Sequence, residues 1–286
     1  MAVLAVLFFT AVVSATDIYV PEGGNQTIQQ AVNNASGGDT IIVRDGIYHE
    51  NVNVDVAHLT IRSENGSANC IVNASGPNDY VFNVAADYVN ITGFTVENAT
   101  GNHNAGIYLE SMEHCNISYN NARNNNYGIY LYSSCNNTLT ENTANSNNYC
   151  GIHLNDADNN NNVSCNWVQN NSVNGFRLYS GSTGNTIERN NIIANGALQA
   201  DGSYHWNFYN DQGNAVDAKN NYWVATDNET IDKSIYDDEE GNGKVTFYPP
   251  LKGASPCAPI PEAATIILFS VGLVVLAGYV VLRGRK

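Results

Sequence analysis

Basic residues are scarce. Twelve Lys and Arg face 27 Asp and Glu, for a formal net charge of −15 over 286 residues. Such a surface repels nucleic acid and anionic headgroups, which excludes a nucleic-acid binder. With two Met and six dispersed His (His49, His58, His103, His114, His153, His205), the chain shows no cluster of the soft or imidazole ligands that a copper site gathers. The six Cys contain no Cys-x-x-Cys pair, so neither a zinc ribbon nor a thioredoxin-type motif is encoded. Six cysteines do fit an oxidising compartment. Ordinary amphipathic helices are almost missing too, because Asn and Gly, both poor in helix interiors, punctuate the chain throughout.

Asn and Gly are what the chain has instead: 46 Asn and 24 Gly. They recur in phase. Gly106-Ile107-Tyr108-Leu109 returns as Gly128-Ile129-Tyr130-Leu131, Gly151-Ile152-His153-Leu154 and Gly175-Phe176-Arg177-Leu178. A second series keeps step: Ile117, Leu139, Val163, Ile187. Each is followed three residues later by Asn120, Asn142, Asn166 and Asn190, and two further on by Ala122, Ala144, Val168 and Ile192. Two registers holding phase over four turns are the mark of a solenoid. Each motif alternates apolar and other residues, so each piece is a short strand.

A repeat of about 22–25 residues holds three short strands and three turns, which makes the fold class all-β, a right-handed parallel β-helix. Stacking then puts Ile107, Ile129, Ile152 and Phe176 in one inward column and the four Leu in another. The Asn column is expected to bond along the axis as amide ladders do, and to serve the left-handed corners a coil needs. The repeat extends backwards with less fidelity, Phe82 and Val84 matching Ile107 and Leu109, and Ile91, Phe94 and Val96 matching Ile117, Asn120 and Ala122. Thr27 to Ala35 has helical spacing (Ile28, Ala31, Val32, Ala35) and is expected to close the first coil as a short capping helix, since an open coil end exposes strand edges.

Both termini speak of location. The apolar run Ala2 to Val13 ending in Val13-Ser14-Ala15 reads as a signal peptide over residues 1–15. Residues 16–252 are the β-helix, 253–262 a Pro-bearing stalk, and 263–282 an uncharged run long enough to span a bilayer as a helix. Arg283, Arg285 and Lys286 at 283–286 keep that tail cytoplasmic, so the main domain faces outward, at the cell surface. Eleven Asn-x-Ser/Thr sequons, at Asn25, Asn34, Asn65, Asn73, Asn90, Asn98, Asn116, Asn136, Asn162, Asn170 and Asn228, are candidate glycosylation sites. Cys115 and Cys135, close to the same phase on neighbouring rungs, are the expected disulfide; rungs lie about 4.8 Å apart.

These segments resemble a known superfamily. Ile18-Tyr19-Val20, Thr27-Ile28-Gln29-Gln30-Ala31-Val32, Gly38-Asp39-Thr40-Ile41 and Gly46-Ile47-Tyr48-His49-Glu50 look like the entry segment of pectate-lyase-like β-helices. The Gly-Ile-Tyr-Leu rungs are similar to NosD-like, carbohydrate-binding/sugar-hydrolase repeats. Val216-Asp217-Ala218, Asn220-Asn221-Tyr222-Trp223, Ile235-Tyr236-Asp237-Asp238 and Lys244-Val245-Thr246-Phe247 resemble the closing segment of surface β-helix proteins. Pro261-Glu262-Ala263 before the apolar run resembles a PEP/PEF-type sorting signal lacking its third residue. That resemblance implies exchange of the helix for another anchor; otherwise the helix itself anchors the protein. The superfamily spans enzymes, sugar binders and structural proteins, so the fold alone does not give a function.

Chemistry is thin. No outward column repeats a carboxylate. The best acid/base/cation cluster is Asp156, Asp158, His153 and Arg177, the set that a polysaccharide lyase or hydrolase acting on acidic polysaccharide would use. The outward aromatic columns carry more information: Tyr108, Tyr130, Tyr132, His153 and Tyr179 form a face able to stack on sugar rings. A non-catalytic glycan-binding or envelope protein is therefore the leading expectation, ahead of the lyase or hydrolase and of the copper handling that the NosD-like resemblance implies. No cofactor is expected, with Ca²⁺ at the acidic loop Asp237 to Gly243 the one possibility its oxygen ligands allow.

Overall fold

The computed structural model describes residues 14–21, 26–225 and 227–261. The signal-peptide run up to Val13, the sequon Asn25, the apolar run 263–282 and the basic tail lie outside them. Among the described residues no helix is long and apolar enough to cross a membrane.

The chain winds as a right-handed parallel β-helix with three walls. Wall 1 has eight strands, from Asp17–Val20 to Thr186–Glu188; wall 2 has seven, from Gly46–His49 to Asn191–Ile193; wall 3 has eight, from Val52–Val54 to Ile235–Tyr236. The expected columns are present in register: Ile107, Ile129, Ile152 and Phe176 pair in succession, as do Leu109, Leu131, Leu154 and Leu178. All eight are buried. The less faithful rungs obey the same register, Phe82 under Ile107 and Ile91 under Ile117.

The first coil is closed as expected. The helix Ile28–Asn34 is capped by a Thr27/Gln30 box and buries Ile28, Ala31 and Val32. The Glu50 carboxylate accepts from the amides of Ile28 (2.9 Å) and Gln29 (3.0 Å), placing negative charge where the helix leaves donors unpaired. The far end is plugged by Trp223, Ile231, Ile235 and Val245.

Three Asn ladders, rather than one, hold the corners. In the first, the backbone and side-chain amides of Asn120 donate to Asn142 Oδ1 at 3.0 and 3.2 Å. The pattern repeats through Asn166 and Asn190 to Asn221. Phe94 occupies the first place, its amide donating to Asn120 Oδ1. A second ladder runs Asn125, Asn147, Asn171, Asn195 and Asn207, and a third Asn137, Asn161 and Asn185. The left-handed residue is not the ladder Asn but the one before it: Tyr119, Glu141, Cys165 and Arg189 have φ of 56, 55, 59 and 57°. The ladder bonds offset the roughly 1–2 kcal/mol that each such residue costs.

The second ladder also explains the repeating Gly. A Cβ on Gly128 would lie 2.5 Å from the Gly151 carbonyl and 2.8 Å from Asn147 Nδ2; on Gly151 it would lie 2.7 Å from Asn171 Nδ2. The ladder amide occupies the space of a side chain, so the second residue of the strand beside it must be Gly.

Two expectations are corrected. Cys115 and Cys135 are both free thiols, and the disulfide joins Cys165 to Cys257. The phase decides it: Cys135 sits opposite Glu113, not Cys115, which lies under Asn137 and points into the core. Residues 253–261 are not a free stalk. They run back along the outside of wall 2 as a strap, held by that disulfide, by the Leu251 amide on the Asn221 carbonyl (2.9 Å) and by the Ser255 amide on Asn191 Oδ1 (2.7 Å).

Candidate functional site

Phe and Tyr are sorted by the fold. Phe82, Phe94, Phe176 and Phe208 are fully buried in the barrel, whereas Tyr rings cover the outside of wall 3. There a second apolar cluster gathers Tyr108, Tyr127, Tyr130 and Cys150, with Tyr80, Tyr132 and Tyr149 packed on it. Tyr80 stacks on Tyr108 at 4.0 Å, and His153 on Tyr130 at 4.7 Å and Tyr127 at 5.2 Å. Tyr108 and Tyr130 are each only 7% exposed. They are the floor of the aromatic layer and offer little surface to a ligand.

His153 is sealed in this floor. It is 3% exposed, and neither ring nitrogen has a partner. Burial, then the charges of Arg177 and His103, push its pKa down to about 3, so it is a neutral aromatic plate. The sign of the consequence is fixed. The unfolded chain takes up a proton near 6.5 and the folded one does not, so the stability His153 contributes is present above pH 6.5 and lost as the pH falls toward 3. His153→Phe keeps the stack and removes that loss. The variant is expected to exceed the parent by on the order of 3 kcal/mol more at pH 4 than at pH 7, read from denaturation midpoints at the two pH values. A constant difference would refute the assignment.

Above the floor lies a more open cluster around Arg177. The guanidinium carbon is 5.4 Å from the Tyr179 ring centroid and 5.8 Å from those of Tyr149 and Tyr209. Nη1 donates to the Tyr149 hydroxyl at 3.0 Å, and Nη2 pairs with Asp211 at 2.6 Å. Burial opposes this charge and the Asp211 carboxylate more than restores it, so Arg177 stays protonated. Tyr209 stacks on Tyr236 at 4.2 Å, and Trp206 meets Tyr236 edge-on at 5.3 Å. Tyr149, Tyr209, Tyr236 and Trp206 are half-buried and Tyr179 is exposed.

The four residues expected to act as acid, base and cation do not converge. His153 is sealed, and Arg177 is tied to Asp211. Asp158, 0% exposed, accepts from the amides of Ser134 and Asn155 (2.5 Å for the latter) and continues a corner column through Ser134 and Ser182. Burial outweighs those amides and pushes its carboxyl up to about 8. Asp156 is bonded by Ser133 (3.0 Å) and Ser180 (3.4 Å). Of the expected sugar-facing set, Tyr132 and Tyr179 remain accessible. Asp211, Tyr149, Tyr209, Tyr236 and Trp206 were missed. The last rungs break the repeat, Arg177 pairing with Tyr209 across a 32-residue rung that carries the hairpin Ala197–Leu198/Tyr204–His205. The signal that was readable is local: aromatics crowd into Tyr204 to Tyr209.

Among the sequons, Asn90, Asn116 and Asn162 share one outward column of wall 1. Asn162, Asn34, Asn65, Asn136, Asn170 and Asn228 are exposed; Asn73, Asn90, Asn98 and Asn116 are half-buried.

With this geometry, comparison with known proteins is informative. Residues 32–242 match the family described as periplasmic copper-binding protein (NosD). The chain belongs to the NosD family. No curated protein matches it in sequence. Three solved structures share the NosD-family chain's fold. The crystal structure of pectate lyase Pel9A matches with a TM-score of 0.60, 14% identity, and coverage of 87% of this chain and 82% of that one. ORF18 of Geobacillus virus E2 follows with a TM-score of 0.54, 13% identity and coverage of 73% and 53%. The catalytic domain of a GH87 α-1,3-glucanase in complex with tetrasaccharides gives 0.50, 15% identity and coverage of 75% and 39%.

The copper in the NosD family's description was tested against the donors present. Among the described residues no three His, Cys, Asp or Glu side chains converge. Five of the six His stack on rings: His58 and His114 on Tyr88, His103 on Tyr127, His153 on Tyr130 and His205 on Trp206. The Arg177 charge disfavours a cation beside Cys150 and His153. These residues do not fit a copper ion. In the acidic loop the Asp237 carboxylate accepts from the Val245 amide at 2.7 Å, and the Glu240 carboxylate accepts from the Asp237 amide at 3.0 Å.

Proposed function

We propose that the protein is an extracytoplasmic β-helix that binds glycans on the outside of wall 3, with Tyr149, Tyr179, Tyr209 and Tyr236 as ring platforms and the Arg177–Asp211 pair between them. The observation that carries this reading is that pair: a charge-neutral donor and acceptor, held by Tyr149, Tyr179 and Tyr209, on the accessible side of a rigid sheet. Sugars need that combination, since ring faces take the C–H side and the paired polar groups take hydroxyls. The ion pair leaves no net positive charge, and the chain carries −15, so a neutral glycan suits the wall better than an acidic one. The pectate lyase and the glucanase, which act on polysaccharides, share this fold and support the reading, as the periplasmic description of the NosD family supports the compartment. Retention at the surface through 263–282, or through an anchor exchanged for it, belongs to the same proposal.

A glycan array probed with the full chain tests it. Tyr209→Ala is expected to weaken binding roughly ten- to thirtyfold, the range of a buried aromatic anchor. Tyr209→Phe keeps the stack on Tyr236 and is expected to stay within about threefold. Absence of binding, or indifference to Tyr209→Ala, would overturn the proposal.

A further inference from the structure

The strap encloses a second groove. Its volume is about 530 Å³, and it lies between wall 2 and residues 259–261, on the side of the barrel away from the Arg177 cluster. It runs across five rungs, from Gly66 to Gln169. We propose that this groove is a binding site for a linear chain of N-acetylated amino sugars.

The floor is a ladder of unused donors. Arg123, Asn145 and Gln169 follow one another in register on successive rungs, so their side chains repeat at about 4.8 Å along the axis. Their acceptors and one donor are already committed: Arg123 Nε to Glu97 at 2.9 Å, Asn145 Oδ1 to the Gln169 amide at 2.8 Å, and Gln169 Oε1 to the Trp167 indole at 2.8 Å. The terminal nitrogens of Arg123, Asn145 Nδ2 and Gln169 Nε2 have no partner among the described residues. A ligand here must therefore present acceptor oxygens at a rung-like repeat, as a pyranose chain does.

The roof narrows the class. Ile260 is 59% exposed and Tyr119 is 55% exposed, and both border the groove, flanked by Pro259 and Pro261. Apolar surface left open beside unused donors suits a group with a carbonyl on one side and a methyl on the other, which is an acetamido group. A sugar bearing only hydroxyls would leave the roof without a partner. A uronate chain would meet Glu141, and an Arg123 charge already paired with Glu97, in a chain of net charge −15. Glu141, whose carboxylate already takes the Tyr119 hydroxyl, has acceptor capacity left for the acetamido N–H. None of these residues belongs to the wall 3 cluster.

The test is calorimetric titration of the oxidised full chain with chitotetraose, its fully deacetylated counterpart and cellotetraose. Chitotetraose is expected to bind, and the other two at least tenfold more weakly. Ile260→Asp, at an exposed position that leaves the barrel untouched, is expected to lower the affinity at least tenfold, and Arg123→Ala to do the same. All of these titrations are made on the Tyr209→Ala background, which disables the wall 3 site, so that a neutral glycan held there does not enter and the two proposals fail separately. No binding of chitotetraose, equal binding of cellotetraose, or an unaltered affinity in Ile260→Asp would overturn the assignment.

Discussion

Asn142→Leu is expected to destabilise the protein by roughly 2–6 kcal/mol, although it adds apolar surface at a buried position. Asn142 Oδ1 accepts both the backbone and side-chain amides of Asn120, and its Nδ2 donates to the Ile117 carbonyl at 2.8 Å and to Asn166 Oδ1 at 3.1 Å. Leu is similar in size but fills none of these roles. The Asn120 backbone amide is left unpaired, and the Ile117 carbonyl loses that partner. Each unsatisfied buried group costs about 1–3 kcal/mol, which sets the range. The measurement is the denaturation midpoint, with hydrogen exchange at the Asn120 amide as the local readout. Asn102→Ala, at an exposed position, is the control and is expected to stay within about 0.5 kcal/mol. A midpoint shift no larger than the control's would show that the ladder is not what holds this corner.

The ladder marks how far the sequence could be read. The Ile117 series and its Asn column were legible because every rung between Gly106 and Ile192 repeats them, and the structure places them as expected. The second ladder was written as plainly, at Asn125, Asn147, Asn171 and Asn195, yet nothing in a linear reading distinguishes a corner amide from the surface Asn around it. Its trace was indirect: Gly106, Gly128, Gly151 and Gly175, each second in its wall 3 strand, are there because an Asn Nδ2 fills the space of a side chain. The wall 3 aromatics were found as a column but misjudged in depth. Alternation gives direction and not depth: Tyr108, Tyr130 and His153 face outward but are covered by neighbouring rings. The accessible cluster around Arg177 depends on Tyr209, Asp211 and Tyr236, which reach their neighbours only through rungs of irregular length. Periodicity carries no information once the period breaks.

Loss of the Cys165–Cys257 disulfide is the other large effect. The bond closes a segment of 92 residues. On the chain-entropy account, a loop of this length restricts the unfolded ensemble by about 4–5 kcal/mol. The double variant Cys165→Ser/Cys257→Ser is therefore expected to lower stability by up to that amount. It should also release residues 251–261 to protease, because among the described residues the hydrogen bonds left to tie the strap to the barrel are those of the Leu251 and Ser255 amides. The effect should appear in the global transition, since Cys165 lies in the middle of the solenoid, where rungs are stabilised by both neighbours. The other four thiols supply the control. Cys70, Cys115 and Cys150 are buried and Cys135 is partly exposed, so alkylation of the native protein should label Cys135 alone, with the three buried thiols reacting after unfolding. A Cys115–Cys135 bond would instead leave Cys135 unlabelled until reduction. An oxidised protein whose stability is indifferent to the double substitution would mean that the strap rests on the barrel without bracing it, and the wall 2 groove would lose the rigid roof on which its selectivity depends.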